Sequence, residues 1–180
     1  FAVASWGQLA RLSKGHCPAP SQEEVWLEMR RADGNFFKVA RLNFGTAATL
    51  ASYRLNAPTI LSNGRLIVAD SRFVSIFDPN GTKIAGDYQF GSDNNYITGS
   101  AAVLPDRGIV VTTDNGSIIT ADFRSANHAQ YSLITRWQEN IGATIVTAPL
   151  VTSTGKIVVG TSAAELVVLN ATGNVLSRRP

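Results

Sequence analysis

From Ala57 onward the chain alternates between short apolar runs and clusters of glycine, asparagine and aspartate. Leu66-Ile67-Val68-Ala69, Phe73-Val74-Ser75-Ile76-Phe77, Ile109-Val110-Val111-Thr112, Ile118-Ile119-Thr120-Ala121, Ile157-Val158-Val159-Gly160 and Leu166-Val167-Val168-Leu169 are rich in β-branched residues. Runs of this length between turn residues predict β-strands. Asn63-Gly64, Asn80-Gly81 and Asn115-Gly116 supply the turns, because Asn and Gly tolerate positive φ. Several runs are apolar at every position, so both faces of these strands are expected to be covered.

The runs repeat. Gly64, Gly108 and Gly155 stand 44 and 47 residues apart, and Asp78, Asp122 and Asn170 stand 44 and 48 apart. Two landmarks that keep one period in the mid-forties predict four-stranded meanders, one per blade of a β-propeller. A fourth strand with an aromatic, basic and polar character is expected at Tyr53-Arg54-Leu55, Tyr88-Gln89-Phe90 and Arg136-Trp137-Gln138, with Leu176-Ser177-Arg178-Arg179 in the same place at the end. The fold class expected is therefore all-β, with about four four-stranded antiparallel meanders. They form either a closed ring or part of a larger six- to eight-bladed propeller.

Residues 1–56 read as a diverged first blade and an N-terminal loop, and 57–180 as three regular blades of the same domain. Within the first segment, Trp26-Leu27-Glu28-Met29-Arg30 is expected as a second strand, and Phe36-Phe37-Lys38-Val39-Ala40-Arg41-Leu42-Asn43 as a third, parallel in role to Ile118–Asp122. Gly15–Gln22, with Pro18 and Pro20, reads as a loop. Ser21 followed by Glu24 makes a capping-box pattern, so a helix over 21–31 is the alternative.

Composition narrows the function classes. The chain is 44% hydrophobic and 16% charged with a net charge of +3, an ordinary globular balance. The basic residues are scattered apart from Arg30-Arg31 and Arg178-Arg179, which read as solvated surface. A nucleic-acid partner is not expected, because it needs a clustered basic stripe. No run approaches the roughly 18 apolar residues that span a bilayer. The start at Phe1, without Met or a basic n-region, leads us to expect a processed or excised chain. The lone Cys17 excludes an intrachain disulfide, and with only His16 and His128 beside it a Cys/His metal site is not expected.

Ala57-Pro58, Asn63-Gly64 and Asp78, then Ala148-Pro149, Gly155, Gly160-Thr161 and Thr172-Gly173, resemble the repeat of the pyrroloquinoline-quinone (PQQ)-like propellers. The resemblance covers 57–180 well and 23–56 loosely. It implies a propeller, and many such propellers without cofactor residues act as scaffolds for protein partners outside the cytoplasm, in the periplasm or secreted. The quinone enzymes of that family show a closing tryptophan after Thr-Gly, a vicinal disulfide or an equivalent lid over the quinone, and a calcium site. Here Leu169-Asn170-Ala171-Thr172-Gly173 has no such Trp, Ala121-Asp122 has no Thr-Gly after it, and one cysteine cannot form a vicinal pair. No cofactor is therefore expected, PQQ with calcium included.

Candidate site residues are few. Asp70 and Asp114 are read at one repeat position after the second strand, with Thr161 in the third repeat. They are rim or ligand contacts, or else turn-closing residues. Trp137, like Trp6 and Trp26, is a ligand platform or a packing anchor. Asp93-Asn94-Asn95-Tyr96 is a polar loop with too few oxygens for calcium. Asn80, Asn115 and Asn170 head glycosylation sequons that fall on expected turns. His128 has no Ser or Cys motif beside it, so no catalytic residue is assigned.

The leading expectation is a non-catalytic propeller that scaffolds a protein partner, with self-association if the arc is open. A fragment of a quinone-type enzyme and a carbohydrate- or ligand-binding propeller are the alternatives. Titration with PQQ and calcium separates the first from the second: the quinone absorption spectrum is expected to stay unchanged, and a shifted, saturable spectrum would favour the enzyme fragment.

Overall fold

The fold is that of a computed structural model, which describes residues 2–3, 9–16, 23–30, 35–41, 56–70, 72–92, 95–127 and 130–180. They form four sheets of four antiparallel strands, each a simple meander in chain order. The first sheet holds β1 (Ala2–Val3), β2 (Leu9–His16), β3 (Glu23–Arg30) and β4 (Phe36–Arg41). The second holds β5 (Thr59–Ile60), β6 (Leu66–Asp70), β7 (Phe73–Phe77) and β8 (Lys83–Gln89). The third holds β9 (Ala102–Val103), β10 (Ile109–Thr112), β11 (Ser117–Asn127) and β12 (Gln130–Asn140). The fourth holds β13 (Leu150–Val151), β14 (Ile157–Gly160), β15 (Leu166–Leu169) and β16 (Val175–Arg179).

The sheets stack face to face like propeller blades. The first strand of each is two residues long, and β1 neighbours β5 as β9 neighbours β13. The Thr59 hydroxyl donates to the Ala101 carbonyl at 2.6 Å, and Thr98 donates to the Thr147 carbonyl at 2.9 Å, so the short inner strands of successive sheets are tied together. A Cβ on Gly99 would lie 2.6 Å from the Ala148 Cβ, which leaves room for glycine alone. The ring is not closed, and the architecture is that of a partial propeller.

Side-chain alternation explains the stacking. Ile67, Ala69, Val74 and Ile76 of the second sheet pack against Ile109, Val111 and Ala121 of the third. Val110 and Ile118, on the opposite face of the third sheet, pack against Ile157, Val159, Val167 and Leu169 of the fourth. The fourth sheet repeats the pattern on its far face, but that face is bare. By register Leu166 corresponds to Ile118 and Val74, yet it is 54% exposed where they are 0%. Leu150 on the same face is also exposed.

The strand reading of 23–30 settles the alternative over 21–31: residues 23–30 are β3, not helix. Expectation and structure differ by one strand in the first sheet. Residues 26–30 lie in the third strand rather than the second, and 36–41 form the fourth. An Asp-Gly pair between two apolar runs does not by itself mark which strands of a meander flank it. The expected loop at Gly15–Gln22 begins later, because β2 runs to His16. Tyr53–Leu55, Cys17, Trp6, His128, Asp93 and Asn94 lie outside the described residues.

Ile118→Ala is expected to lower stability by about 2–4 kcal/mol, because it empties a sandwiched position. Leu166→Ala, its counterpart on the bare face, should cost less than about 1 kcal/mol. Urea unfolding of both variants checks this, and equal losses would mean that the far face of the fourth sheet is covered in solution.

Candidate functional site

The hairpin between the first and second strands has one form in three sheets. Leu61–Arg65, Leu104–Gly108 and Thr152–Lys156 each close with a pair of backbone hydrogen bonds. Each also carries a polar side chain that accepts a backbone N–H: Asn63 from Arg65, Asp106 from Gly108 and Thr152 from Lys156. The fourth residue of each turn is left-handed, with φ of 80° at Gly64, 72° at Arg107 and 78° at Gly155. The glycine spacing used above is thus one residue out of step: the counterpart of Gly64 and Gly155 is Arg107, not Gly108. An arginine at such a φ costs about 1 kcal/mol or more relative to glycine.

The same offset corrects a second expectation. Strand register puts Thr113, not Asp114, in step with Asp70 and Thr161. The second sheet closes this hairpin with Asp70 opposite Phe73, whereas the third needs one more residue between Thr113 and Ser117.

The hairpin between the third and fourth strands breaks the pattern in one sheet. Asp78 and Asn170 each accept two backbone N–H groups of their own turn, from Asn80 and Thr82 and from Thr172 and Asn174. Asp122 stands at their repeat position but lies mid-strand, because β11 and β12 run on past it as two strands of eleven residues each. Its carboxylate instead receives Arg136 from β12. The same guanidinium reaches Asp106 at 2.6 Å. Hydrogen bonding to Arg136 holds the Asp106 carboxyl below its ordinary pKa, with a smaller contribution from the Gly108 N–H. The two carboxylates in turn raise the Arg136 pKa further, so it stays charged. Gly108 makes room for this bridge, since a Cβ there would lie 3.0 Å from the Arg136 Nη2.

These groups border a cleft of about 470 Å³ between the second and third sheets. Leu61, Ser62, Asn63, Arg65 and Ile76 form one wall, and Val103, Asp106, Arg107, Asp122 and Phe123 the other. The floor is apolar and the lip carries charge of both signs. An apolar cleft with a few charged groups at its lip is a form that ligand sites commonly take. Among the described residues no three His, Cys, Asp or Glu side chains converge as a metal site.

The residues singled out from the sequence lie elsewhere and apart. Asp70 is buried at the end of β6 away from the cleft. Asp114 accepts the Tyr96 N–H at 2.9 Å, tying the incoming chain to the β10–β11 turn. Trp137 packs between the third and fourth sheets, where its indole N–H donates to the Ala171 carbonyl at 2.9 Å. Its ring lies over Gly173, 3.0 Å from where a Cβ would sit. The sequons at Asn115 and Asn170 use their side-chain oxygens inside the turns. Arg178, expected as plain surface, also donates to the Ile141 carbonyl and lies 3.7 Å from Glu165. Sequence reasoning missed Asp106, Arg107 and Arg136. The available signal was Asp106-Arg107 standing where the other repeats carry Asn-Gly or Thr-Gly.

No protein-family model and no curated protein sequence matches the chain. Solved structures do. A protein of unknown function from Bacteroides caccae aligns over 99% of this chain and 58% of its own, with a TM-score of 0.62 and 13% identity. BamB from Moraxella catarrhalis aligns over 98% and 48%, with a TM-score of 0.58 and 14% identity. The WD40 domain of SCAP from fission yeast aligns over 94% and 44%, at 0.54 and 12%. The chain thus spans about half the length of these structures, and the likeness shows the propeller fold.

Arg136→Met is expected to raise the Asp106 pKa toward the ordinary 3.8. The sign follows from the depressed value: the pair adds stability above the ordinary carboxylate range and loses it as pH falls through the lowered pKa. Carbon-detected NMR titration of the Asp106 carboxyl checks this, and an unchanged midpoint would mean that the bridge does not form.

Proposed function

We propose that this chain is a propeller module that holds a protein partner and performs no chemistry of its own. The observation that carries the reading is the cleft between the second and third sheets. It combines an apolar floor from Leu61, Val103 and Phe123 with charged groups at the lip, the composition of a recognition surface. The β11–β12 hairpin, which is longer than its counterparts, extends one side of this surface. Rigid scaffolds that present variable rim elements commonly recognise other proteins. The repeat resemblance adds the expectation of a site outside the cytoplasm; no described helix is long and apolar enough to cross a membrane.

A photo-crosslinking residue at the exposed Ser62, on the cleft lip, tests this in extracts of the source cells. One discrete protein adduct is expected, absent when the crosslinker stands at Ser162 on the opposite end of the fourth sheet. An identical adduct pattern from both positions, or no adduct from Ser62 in a folded protein, would overturn the reading.

A further inference from the structure

We infer that Asn80 is a site of spontaneous covalent modification in the folded protein, the first of the Asn-Gly pairs to lose its side-chain amide and become aspartate or isoaspartate. The inference stands apart from the cleft and from whatever the cleft holds.

Asn63-Gly64, Asn80-Gly81 and Asn115-Gly116 sit in turns of one backbone form. These turns span Leu61–Arg65, Asp78–Thr82 and Thr113–Ser117. In each, the first N–H donates to the fifth carbonyl and the glycine N–H donates to the first carbonyl. The glycines share a left-handed φ, of 80°, 85° and 92°. All three asparagines are exposed. Sequence pair, backbone and exposure are thus matched, and what differs is what holds the asparagine side chain.

Asn115 is held most firmly. Its Oδ1 accepts the Thr113 hydroxyl at 2.8 Å and the Ser117 N–H at 3.1 Å. Asn63 is held by one bond, from the Arg65 N–H at 3.2 Å. In the turn of Asn80 the Asp78 carboxylate takes that role, accepting the Asn80 and Thr82 N–H groups at 2.9 and 2.7 Å. The Asn80 side chain has no hydrogen bond to any described residue and is left to sample its rotamers.

That freedom is what the chemistry needs. The Gly81 nitrogen attacks the Asn80 Cγ, and glycine has no Cβ to block the approach. The new N–Cγ bond replaces the Cγ–Nδ2 bond, and ammonia leaves with the Gly81 amide proton. Water then opens the cyclic imide at either carbonyl, which gives aspartate or isoaspartate; nothing is oxidised or reduced. A tethered Oδ1 must break its bond before Cγ can turn toward the glycine nitrogen. Each such bond slows the step about fivefold. The glycine N–H bond to the first carbonyl is common to the three turns and leaves their order unchanged. Isoaspartate adds a methylene to the backbone between the two N–H groups that Asp78 holds, so the modified turn no longer fits that carboxylate.

The test incubates the folded chain in mildly alkaline buffer and follows amide-to-acid conversion by mass spectrometry. Trypsin cuts after Arg65, Lys83 and Arg107, which puts the three asparagines in separate peptides. Asn80 is expected to convert about fivefold faster than Asn63 and about twenty-fivefold faster than Asn115. In urea the tethers are gone, and the lead of Asn80 should vanish. Thr113→Val removes one tether, and should speed Asn115 about fivefold with Asn63 and Asn80 unchanged. A variant that unfolds instead speeds Asn63 as well, and the order in the parent chain then decides. Asn63 or Asn115 converting as fast as Asn80 in the folded chain, a lead of Asn80 that persists in urea, or a folded Thr113→Val with Asn115 unchanged would each overturn the inference.

Discussion

The stacking of the second, third and fourth sheets follows from strands that are apolar on both faces. A half-buried sheet can stand with one side in water, but the second and third sheets here carry Val, Ile and Leu on both sides of their middle strands. Such a sheet is stable only between two others. The burial of Ile67, Val110 and their neighbours is therefore a property of the stack, and no sheet acquires it alone. Several polar residues that enter these faces are small and bonded locally: Thr113 donates to Asn115 within its own turn, and Thr98 and Thr112 share a hydrogen bond at 2.7 Å.

The cleft arises where the third sheet departs from the common plan. In its neighbours an Asp or Asn ends the third strand and folds the turn onto its own carboxylate or amide. In the third sheet the strand continues, which leaves Asp122 facing sideways along the sheet. A carboxylate in that setting needs a partner, and Arg136 supplies it while also reaching Asp106 in the preceding hairpin. A Cβ at residue 108 would lie 3.0 Å from the guanidinium and 3.1 Å from the Ala121 carbonyl, so glycine fits there without any shift. The left-handed position one residue earlier then falls to Arg107. One longer hairpin thus accounts for the bridge, the displaced glycine and the charge at the cleft lip.

Strands, turns and repeat period were legible because each is set by local chemistry: β-branched runs make strands, and Asn-Gly pairs make turns. The register was not. Aligning the repeats on glycine put Gly108 beside Gly64 and Asp114 beside Asp70, when backbone conformation aligns Arg107 and Thr113 with them. Glycine spacing is a sound guide only where glycine occupies the positive-φ position, and the third sheet uses its glycine for clearance. The strand order of the first sheet was misread for a related reason, since an Asp-Gly turn looks the same in any hairpin. Trp137 was legible as a candidate, and its place between two sheets follows from the indole, which packs on Gly173 and still satisfies its N–H.

The cleft itself could not be read from one segment, because its walls belong to sheets joined only through packing. Four strands, one whole repeat, separate Leu61 and Arg65 from Asp106, and Phe123 lies further along the chain. They meet because Ile67, Val74 and Ile76 lock onto Ile109, Val111 and Ala121 directly beneath them. That core fixes the spacing of the two walls without help from loops, so a ligand entering the cleft meets a surface already formed and loses little free energy to ordering it. With identities of 12–14% to the propellers of known structure, the shared fold carries the scaffold and says nothing of what is bound. On the proposed reading, specificity resides in the residues where this sheet differs from its own neighbours, and several of those border the cleft.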